Sequence, residues 1–175
     1  MNPVTTNPAD GTLETRDGHH VMRYERRLPH PIERVWAAIT QPAELRAWLA
    51  DADLDLTVGG RVELRWLNTD DEGNRAVATG TVTALEAPRL LELETEPHGV
   101  LRFELAPEGD GTALMFTVTT PAPNEHVMLA LAGWHIHLEH LADALDGRPV
   151  DWPAWSEEHR PRWEELHARY VARAA

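Results

Sequence analysis

The sequence predicts an α+β fold in which a curved antiparallel sheet of about six or seven strands wraps around a long C-terminal helix. Segments in the middle of the chain alternate apolar and polar residues, as strands with one buried face do. Two short helical patterns follow the first such segment, and one long stretch near the C-terminus repeats apolar residues every three or four positions. Strands and helices that are grouped in this way are typical of α+β folds.

The N-terminal part is predicted to contain a tail, one strand and two short helices. Residues 1–18 are polar and contain proline and glycine, which predicts a disordered tail before a single domain at residues 19–175. A first strand is expected over residues 20–28. Pro31 suits the first position of a helix, and Pro42 begins a second one. Both helices are too short to form a bundle, so we expect them to pack against the sheet.

The remaining strands follow one another with short turns between them. Gly80 is expected to mark a bend or bulge that helps the sheet to curve. Gly109, Asp110 and Gly111 form a favourable hairpin turn, and residues 70–73 read as a solvated turn without the spacing of a calcium loop. The alternating segments are residues 54–58, 62–66, 75–85, 91–94, 101–105 and 114–118.

Residues 124–146 predict one long helix. Asn124 is a suitable N-cap, Gly147 is a typical residue just after a helix, and Pro149 prevents continuation. A short terminal helix is expected over residues 161–173. The apolar stripe of the long helix consists of Val127, Leu131, Trp134, Leu138, Leu141 and Leu145.

Composition excludes several classes of function. The net charge of −13 argues against nucleic-acid binding, which requires a positive surface. The chain has no cysteine, so disulfides, thiolate metal sites and cysteine nucleophiles are excluded. No segment resembles a signal peptide or a membrane span, so we expect a cytoplasmic protein that does not insert into membranes.

Histidines on the long helix are the best candidates for chemistry. His135 and His137 fall on opposite sides of the apolar stripe, so they cannot bind one metal ion together. His137 and His140 lack a third ligand on the helix, so no metal and no cofactor is predicted. We expect His135 and His137 to find partners at the edge of the stripe and His140 to lie in solvent.

Five segments in this order resemble the heat-shock-protein-90 ATPase activator homologue-like family. They are VWAAITQPAELRAWL, GGRVELRW, GNRAVATGTVTALEAPRLLELE, GVLRFELAPEGDGTALMFTV and AGWHIHLEHLADALDG, and the likeness covers roughly Val21 to Tyr170. That family lies within the START-like (SRPBCC, Bet v-like) superfamily. The resemblance implies the helix-grip fold, with an apolar cavity between the sheet and the long helix. It also implies a link to chaperones and stress responses, since the family is named after co-chaperones.

The leading hypothesis is therefore binding of a small hydrophobic or aromatic molecule, such as a lipid or a polyketide, without turnover. The opposing interpretation is that the same residues fill a solid core. The ligand-binding residues proposed for the cavity are Leu64, Trp66, Leu93, Phe103, Phe116, Trp134, His135 and Leu138.

Two alternatives belong to other classes of function. The first is a cyclase, aromatase or hydrolase, with His135 or His137 as the base and Tyr24 or Arg26 as the polarising group. The second is a protein-interaction module that binds a chaperone or forms a homodimer through exposed tryptophans of the tail after Val150. Packing of these tryptophans against the body is the simpler interpretation, because tryptophan buries a large area wherever it packs.

Overall fold

The computed structural model describes residues 7–69 and 72–175. Its strands form one antiparallel sheet in the order β1-β2-β8-β7-β6-β5-β4-β3. This confirms the predicted α+β class, with eight strands instead of six or seven. The strands are β1 (Thr12–Arg16), β2 (His19–Leu28), β3 (Ala50–Leu54), β4 (Arg61–Trp66), β5 (Val77–Glu86), β6 (Leu90–Glu96), β7 (Gly99–Glu108) and β8 (Gly111–Pro121).

Five helices complete the chain. The two short helices after β2 are present, and a 3₁₀ turn at Trp152–Ala154 leads from the long helix into the C-terminal pair. Among the described residues, no helix is long and apolar enough to cross a membrane. The helices are α1 (Ile32–Thr40), α2 (Pro42–Leu45), α3 (Val127–Leu145), α4 (Trp155–Glu158) and α5 (Arg160–Ala174).

Two parts of the sheet differ from the sequence prediction. Strand β1 lies inside the predicted disordered tail, where it pairs with β2 from Thr12 opposite Arg23 to Arg16 opposite His19. Residues 1–6 lie outside the described residues. Strand β3 ends at Leu54, and the predicted strand residues Leu56 and Val58 are exposed in the turn that follows.

Small side chains explain the second difference. Ala50 and Ala52 are the residues of β3 that face the core, opposite Trp66 and Leu64 of β4. A hydrophobicity pattern gives little weight to alanine, and the larger Leu56 and Val58 extend the apparent alternation beyond the true strand. The predicted turn at residues 70–73 falls partly on Asp70 and Asp71, which lie outside the described residues.

Helix α3 begins three residues later than predicted. Asn124 does accept a hydrogen bond from a backbone N–H, but the donor is His126, 2.9 Å from the Asn124 side-chain oxygen. The bond therefore closes a turn ahead of the helix. All six residues of the predicted apolar stripe are buried. His140, which was expected in solvent, is buried too, because α4 and α5 cover the side of α3 that faces away from the sheet.

Helix α5 is held against α3 and against the N-terminal segment by polar contacts. Glu139 of α3 binds Arg162 of α5 through two hydrogen bonds of 2.7 and 3.2 Å. The Tyr170 hydroxyl accepts a hydrogen bond of 2.7 Å from the backbone N–H of Gly11. Asp10, whose side chain is only 3% exposed, pairs with Arg169 and also with Arg173. Asp10 and Gly11, directly before β1, are therefore fixed by the C-terminal helix.

Gly80 of β5 allows two strands to approach each other closely. A Cβ atom at this position would lie 1.8 Å from the carbonyl oxygen of Glu94 on β6. The irregularity in the pairing of β5 and β6 lies between Val82 and Ala84, so the bulge predicted at Gly80 is displaced along the strand.

Replacing Gly80 with alanine is expected to lower the free energy of unfolding by about 1–3 kcal/mol, since the strands must separate to admit the methyl group. Urea unfolding at neutral pH measures this change. Thr81→Val, at the next and exposed position, keeps a β-branched side chain and is the matched control, which should change stability by less than about 0.5 kcal/mol. Equal stability of wild type and Gly80→Ala would show that this close approach is not needed.

Candidate functional site: an aromatic cavity beside helix α3

A cavity of about 750 Å³ lies between the first half of α3, the ends of β4 and β5, the turn between β6 and β7, and the C-terminal helices. It opens to solvent, and exposed lining residues such as Pro97 and His126 mark its mouth. Most of the wall is apolar. The lining residues are Met22, Trp66, Asn68, Thr69, Asn74, Ala76, Pro97, His98, Thr120, Asn124, His126, Leu129, Ala130, Gly133, Trp134, His137, Trp155, Arg160 and Trp163.

Four aromatic rings form the inner part of the wall. Trp66 from β4 and Trp134 from α3 meet nearly edge to face, with ring centroids 5.5 Å apart. His98, from the turn after β6, lies 5.2 Å from Trp66 and 5.7 Å from Trp134. His137, one turn along α3, lies 5.3 Å from Trp66. Edge-to-face pairs at these distances are favourable, so the four rings hold one another in place.

Hydrogen bonds determine which ring nitrogens of the histidines carry protons. The indole N–H of Trp66 donates to His98 Nε2 over 2.8 Å, and the indole N–H of Trp155 donates to His140 Nε2 over 3.1 Å. His137 Nδ1 lies 2.6 Å from the carbonyl oxygen of Gly133. Because a carbonyl oxygen only accepts, Nδ1 of His137 is the protonated nitrogen and Nε2 carries a free lone pair.

Burial keeps these histidines neutral. It lowers the pKa of His137 to about 4, although the bond to Gly133 opposes the shift. It lowers the pKa of His140 to about 3, with a further decrease from the neighbouring His137 and His159. Burial also lowers the pKa of His98. His98, His137 and His140 therefore carry no charge at neutral pH.

One cation lies among the lining residues. The guanidinium carbon of Arg160 sits 6.0 Å from the centre of the Trp155 ring, and its Nη2 is 3.5 Å from the carbonyl oxygen of Thr69. Arg160 thus connects the start of α5 to the chain that follows β4.

Only two of the predicted ligand-binding residues line the cavity. Trp66 and Trp134 do so, and they lie on β4 and α3, which were both predicted from the sequence. Phe116 lies behind Trp134, with ring centroids 5.3 Å apart. The other predicted residues are buried in the core without reaching the cavity: Leu64, Leu93, Phe103, His135 and Leu138.

His135 lies in a separate buried network on the other side of α3. Its Nδ1 is 2.7 Å from the Tyr170 hydroxyl, and its Nε2 is 3.4 Å from a Glu139 carboxylate oxygen. Burial raises the pKa of Glu139, but hydrogen bonds from His135 and Arg162 outweigh this effect and bring it to about 2. Burial raises the pKa of Tyr170. These groups hold α5 on α3 and leave no room for a substrate.

The polarising groups of the enzyme hypothesis are also outside the cavity. The Tyr24 hydroxyl donates to the carbonyl oxygen of Leu131 over 2.8 Å, and burial raises its pKa well above the usual value. Arg26 lies beside the Tyr24 ring and donates to the carbonyl oxygen of Glu25. Residues 7–69 and 72–175 contain no group of three or more His, Cys, Asp or Glu side chains placed to bind a metal ion.

The tryptophans of the C-terminal tail form part of the structure of the site. Trp155 is 5% exposed, and both Trp155 and Trp163 line the cavity. Trp152 packs on the core, and its indole N–H donates to the carbonyl oxygen of Arg46 over 2.7 Å. Trp155 is buried and Trp152 and Trp163 are half-buried, whereas the protein-interaction hypothesis assumed exposed side chains.

His98 and Gly133 line the cavity but were not predicted as site residues from the sequence. His98 lies in a two-residue turn between strands, where no periodic pattern applies. Gly133 could have been recognised from the sequence. Glycine within a helix lowers helix stability by about 1 kcal/mol relative to alanine, so it indicates a position where space is needed. A Cβ atom at Gly133 would meet no atom within 4 Å.

Comparison with known proteins gives a family and several similar structures. Residues 29–146 match the family model described as activator of Hsp90 ATPase homolog 1-like protein. CalU16 from Micromonospora echinospora is 23% identical with a TM-score of 0.70, and the match covers 93% of this chain and 96% of CalU16. The Bordetella parapertussis protein encoded by gene BPP1335 is 28% identical with a TM-score of 0.68, over 98% of this chain and 94% of that one.

A third structure carries the family name. An AHSA1-like protein from Aeromonas hydrophila is 24% identical with a TM-score of 0.63, and the match covers 73% of this chain and 92% of that chain. The search of curated proteins found no match.

Proposed function

The chain belongs to the activator of Hsp90 ATPase homolog 1-like family, and from that premise we propose that it binds one small hydrophobic or aromatic molecule in the cavity beside α3. The fold alone does not select a function, since one fold serves many. The cavity of about 750 Å³ with tryptophan walls carries the proposal. A lipid or a polyketide is the kind of ligand that such walls suit.

The size and lining of the cavity support a ligand of ordinary metabolite size. Sites for small molecules measure about 300–1,000 Å³ and combine apolar walls with a few polar groups. Apolar surface buried on binding contributes about 25 cal/mol per Å² before the costs of association. Because His98 and His137 in the wall are neutral, a neutral ligand meets no charge on these two rings.

Titration with the apolar fluorophore N-phenyl-1-naphthylamine tests the proposal. We expect saturable enhancement of its emission at one molecule per chain, because the probe passes from water into an aromatic cavity. Native mass spectrometry of the freshly purified protein should show a small apolar molecule that dissociates on activation. Absence of both a saturable signal and a bound molecule would contradict the proposal.

The two alternatives have less support. Turnover through His135, Tyr24 or Arg26 would require these groups to meet a substrate, and all three lie outside the cavity. Binding of a chaperone or a second copy through the tail tryptophans would require them to leave the core. Of the groups that the enzyme hypothesis names, only His137 lines the cavity.

A further inference from the structure

His137 lines the cavity, and its Nε2 atom is buried without a hydrogen-bond partner among the described residues. The imidazole is 5% exposed, and its other nitrogen donates to the carbonyl oxygen of Gly133. Turning the ring by 180° would replace Nδ1 with a carbon atom and so lose that bond, and the ring also packs against Trp152, with centroids 6.2 Å apart. Nε2 is therefore a fixed acceptor.

Two nearby histidines show how the protein satisfies such an acceptor. His98 Nε2 receives the indole N–H of Trp66, and His140 Nε2 receives the indole N–H of Trp155. In both cases an aromatic ring brings a donor into an apolar setting. His137 lies among the same aromatic rings and lines the cavity, but among the described residues no donor reaches its Nε2.

Asn68 contributes a second acceptor. It follows β4 and lines the same cavity, and its side-chain oxygen is buried without a hydrogen-bond partner in the part of the chain that the structure describes. A buried polar atom that loses water and gains no partner costs about 1–3 kcal/mol. A ligand that satisfies these atoms therefore binds better than one of the same shape that does not.

Building on the proposed function, we infer that the ligand is a neutral aromatic hydrogen-bond donor, a phenol or an aromatic N–H compound, whose donor group binds His137 Nε2. Ligands with a second donor group gain a further bond to Asn68. Aromatic faces suit the walls formed by Trp66 and Trp134, with which an aromatic ligand stacks or meets edge to face. Pure hydrocarbons and aromatic ethers lack the donor, and a carboxylate would place a negative charge next to a lone pair.

Three ligands with one scaffold test the inference by displacement of N-phenyl-1-naphthylamine at pH 7. 2-Naphthol has the donor, 2-methoxynaphthalene replaces it with an ether, and 2-naphthoate carries a charge. We expect 2-naphthol to bind about tenfold more tightly than 2-methoxynaphthalene, the difference that one hydrogen bond to a buried acceptor makes. Equal or tighter binding of the ether, or tightest binding of 2-naphthoate at Arg160, would overturn the inference.

A variant of His137 tests whether this residue causes the preference for ligands with a hydrogen-bond donor. His137→Phe keeps an aromatic ring and removes the acceptor, so the ratio of the two affinities should fall to about one while the ether binds as before. His126→Phe is the matched control, because His126 is exposed at the mouth and its replacement should leave the tenfold ratio unchanged. An unchanged ratio in folded His137→Phe would overturn the assignment.

A second variant keeps the inference testable if His137→Phe does not fold. Asn68 lies outside the helices. Wild type should bind 2,7-dihydroxynaphthalene more tightly than 2-naphthol, because the second hydroxyl donates to Asn68. The Asn68→Leu variant should bind the two compounds equally. Failure of the inference and failure of the proposed function give different results. If the fluorophore binds and the donor preference is absent, only the inference fails; if no probe binds at all, the proposed function fails first.

Discussion

Replacing Gly133 with phenylalanine is expected to weaken the binding of N-phenyl-1-naphthylamine at least tenfold while the protein stays folded. Gly133 lines the cavity from the middle of α3, and a Cβ atom there meets open space within 4 Å. A benzyl group added at this position occupies volume that the ligand needs. Most replacements of a small residue by a large one force packed atoms apart, but Gly133→Phe does not.

Gly133→Ala is the matched control for this variant. Its methyl group takes little of the 750 Å³, so binding should persist. Helix stability should rise, because alanine is better than glycine by about 1 kcal/mol in a helix interior. Fluorescence titration and urea unfolding measure the two quantities. Full probe binding by a folded Gly133→Phe protein would place the ligand elsewhere.

Lowering the pH from 7 to 5 is expected to decrease the free energy of unfolding by several kcal/mol. Burial lowers the pKa of His137 to about 4 and that of His140 to about 3, whereas both have their ordinary value of 6.5 in the unfolded chain. Between these values the unfolded state binds more protons than the native state, so stability falls as pH falls. Each histidine contributes about 2 kcal/mol of this loss between pH 6.5 and 5.

Urea unfolding at a series of pH values, with the His140→Gln variant beside wild type, measures this effect. Glutamine keeps an acceptor for the indole N–H of Trp155 and does not titrate, so the variant should lose about half of the dependence on pH. His126→Gln, at an exposed histidine, should keep the full dependence. A wild-type protein as stable at pH 5 as at pH 7 would mean that the buried histidines reach water readily.

Periodicity in the sequence predicts most of this fold because the sheet has one buried face. Leu101, Phe103 and Leu105 of β7 are buried and alternate with more exposed polar neighbours, which is the pattern that identified the strand. The prediction was wrong at Leu56 and Val58, where apolar side chains continue the pattern into a turn. It missed β1, in which Leu13 is the one large apolar residue and is exposed, and which owes its position to pairing with β2 and to the contacts of Asp10 and Gly11.

The candidate site could be predicted only in part because periodicity reports which face is buried and not where the interior is empty. Leu93 and Phe103 face the same side of the sheet as Trp66, but they lie where the core is filled. The cavity depends on Gly133, on the turn that carries His98 and on the packing of α5. Burial of His140 could not be read from α3 alone, since it results from a second helix on the far side.

The contacts of Asp10 with α5 have a consequence for synthesis on the ribosome. Gly11 and Tyr170, which share a hydrogen bond, are 159 residues apart in the chain. When the N-terminal segment emerges, the arginines that neutralise Asp10 have not yet been made, and neither has Trp163 in the cavity wall. The sheet and α3 can assemble earlier, because their contacts need no later residue. The cavity wall and the position of the N-terminal segment therefore both depend on α5, and a nascent chain that stops before α5 has an incomplete site.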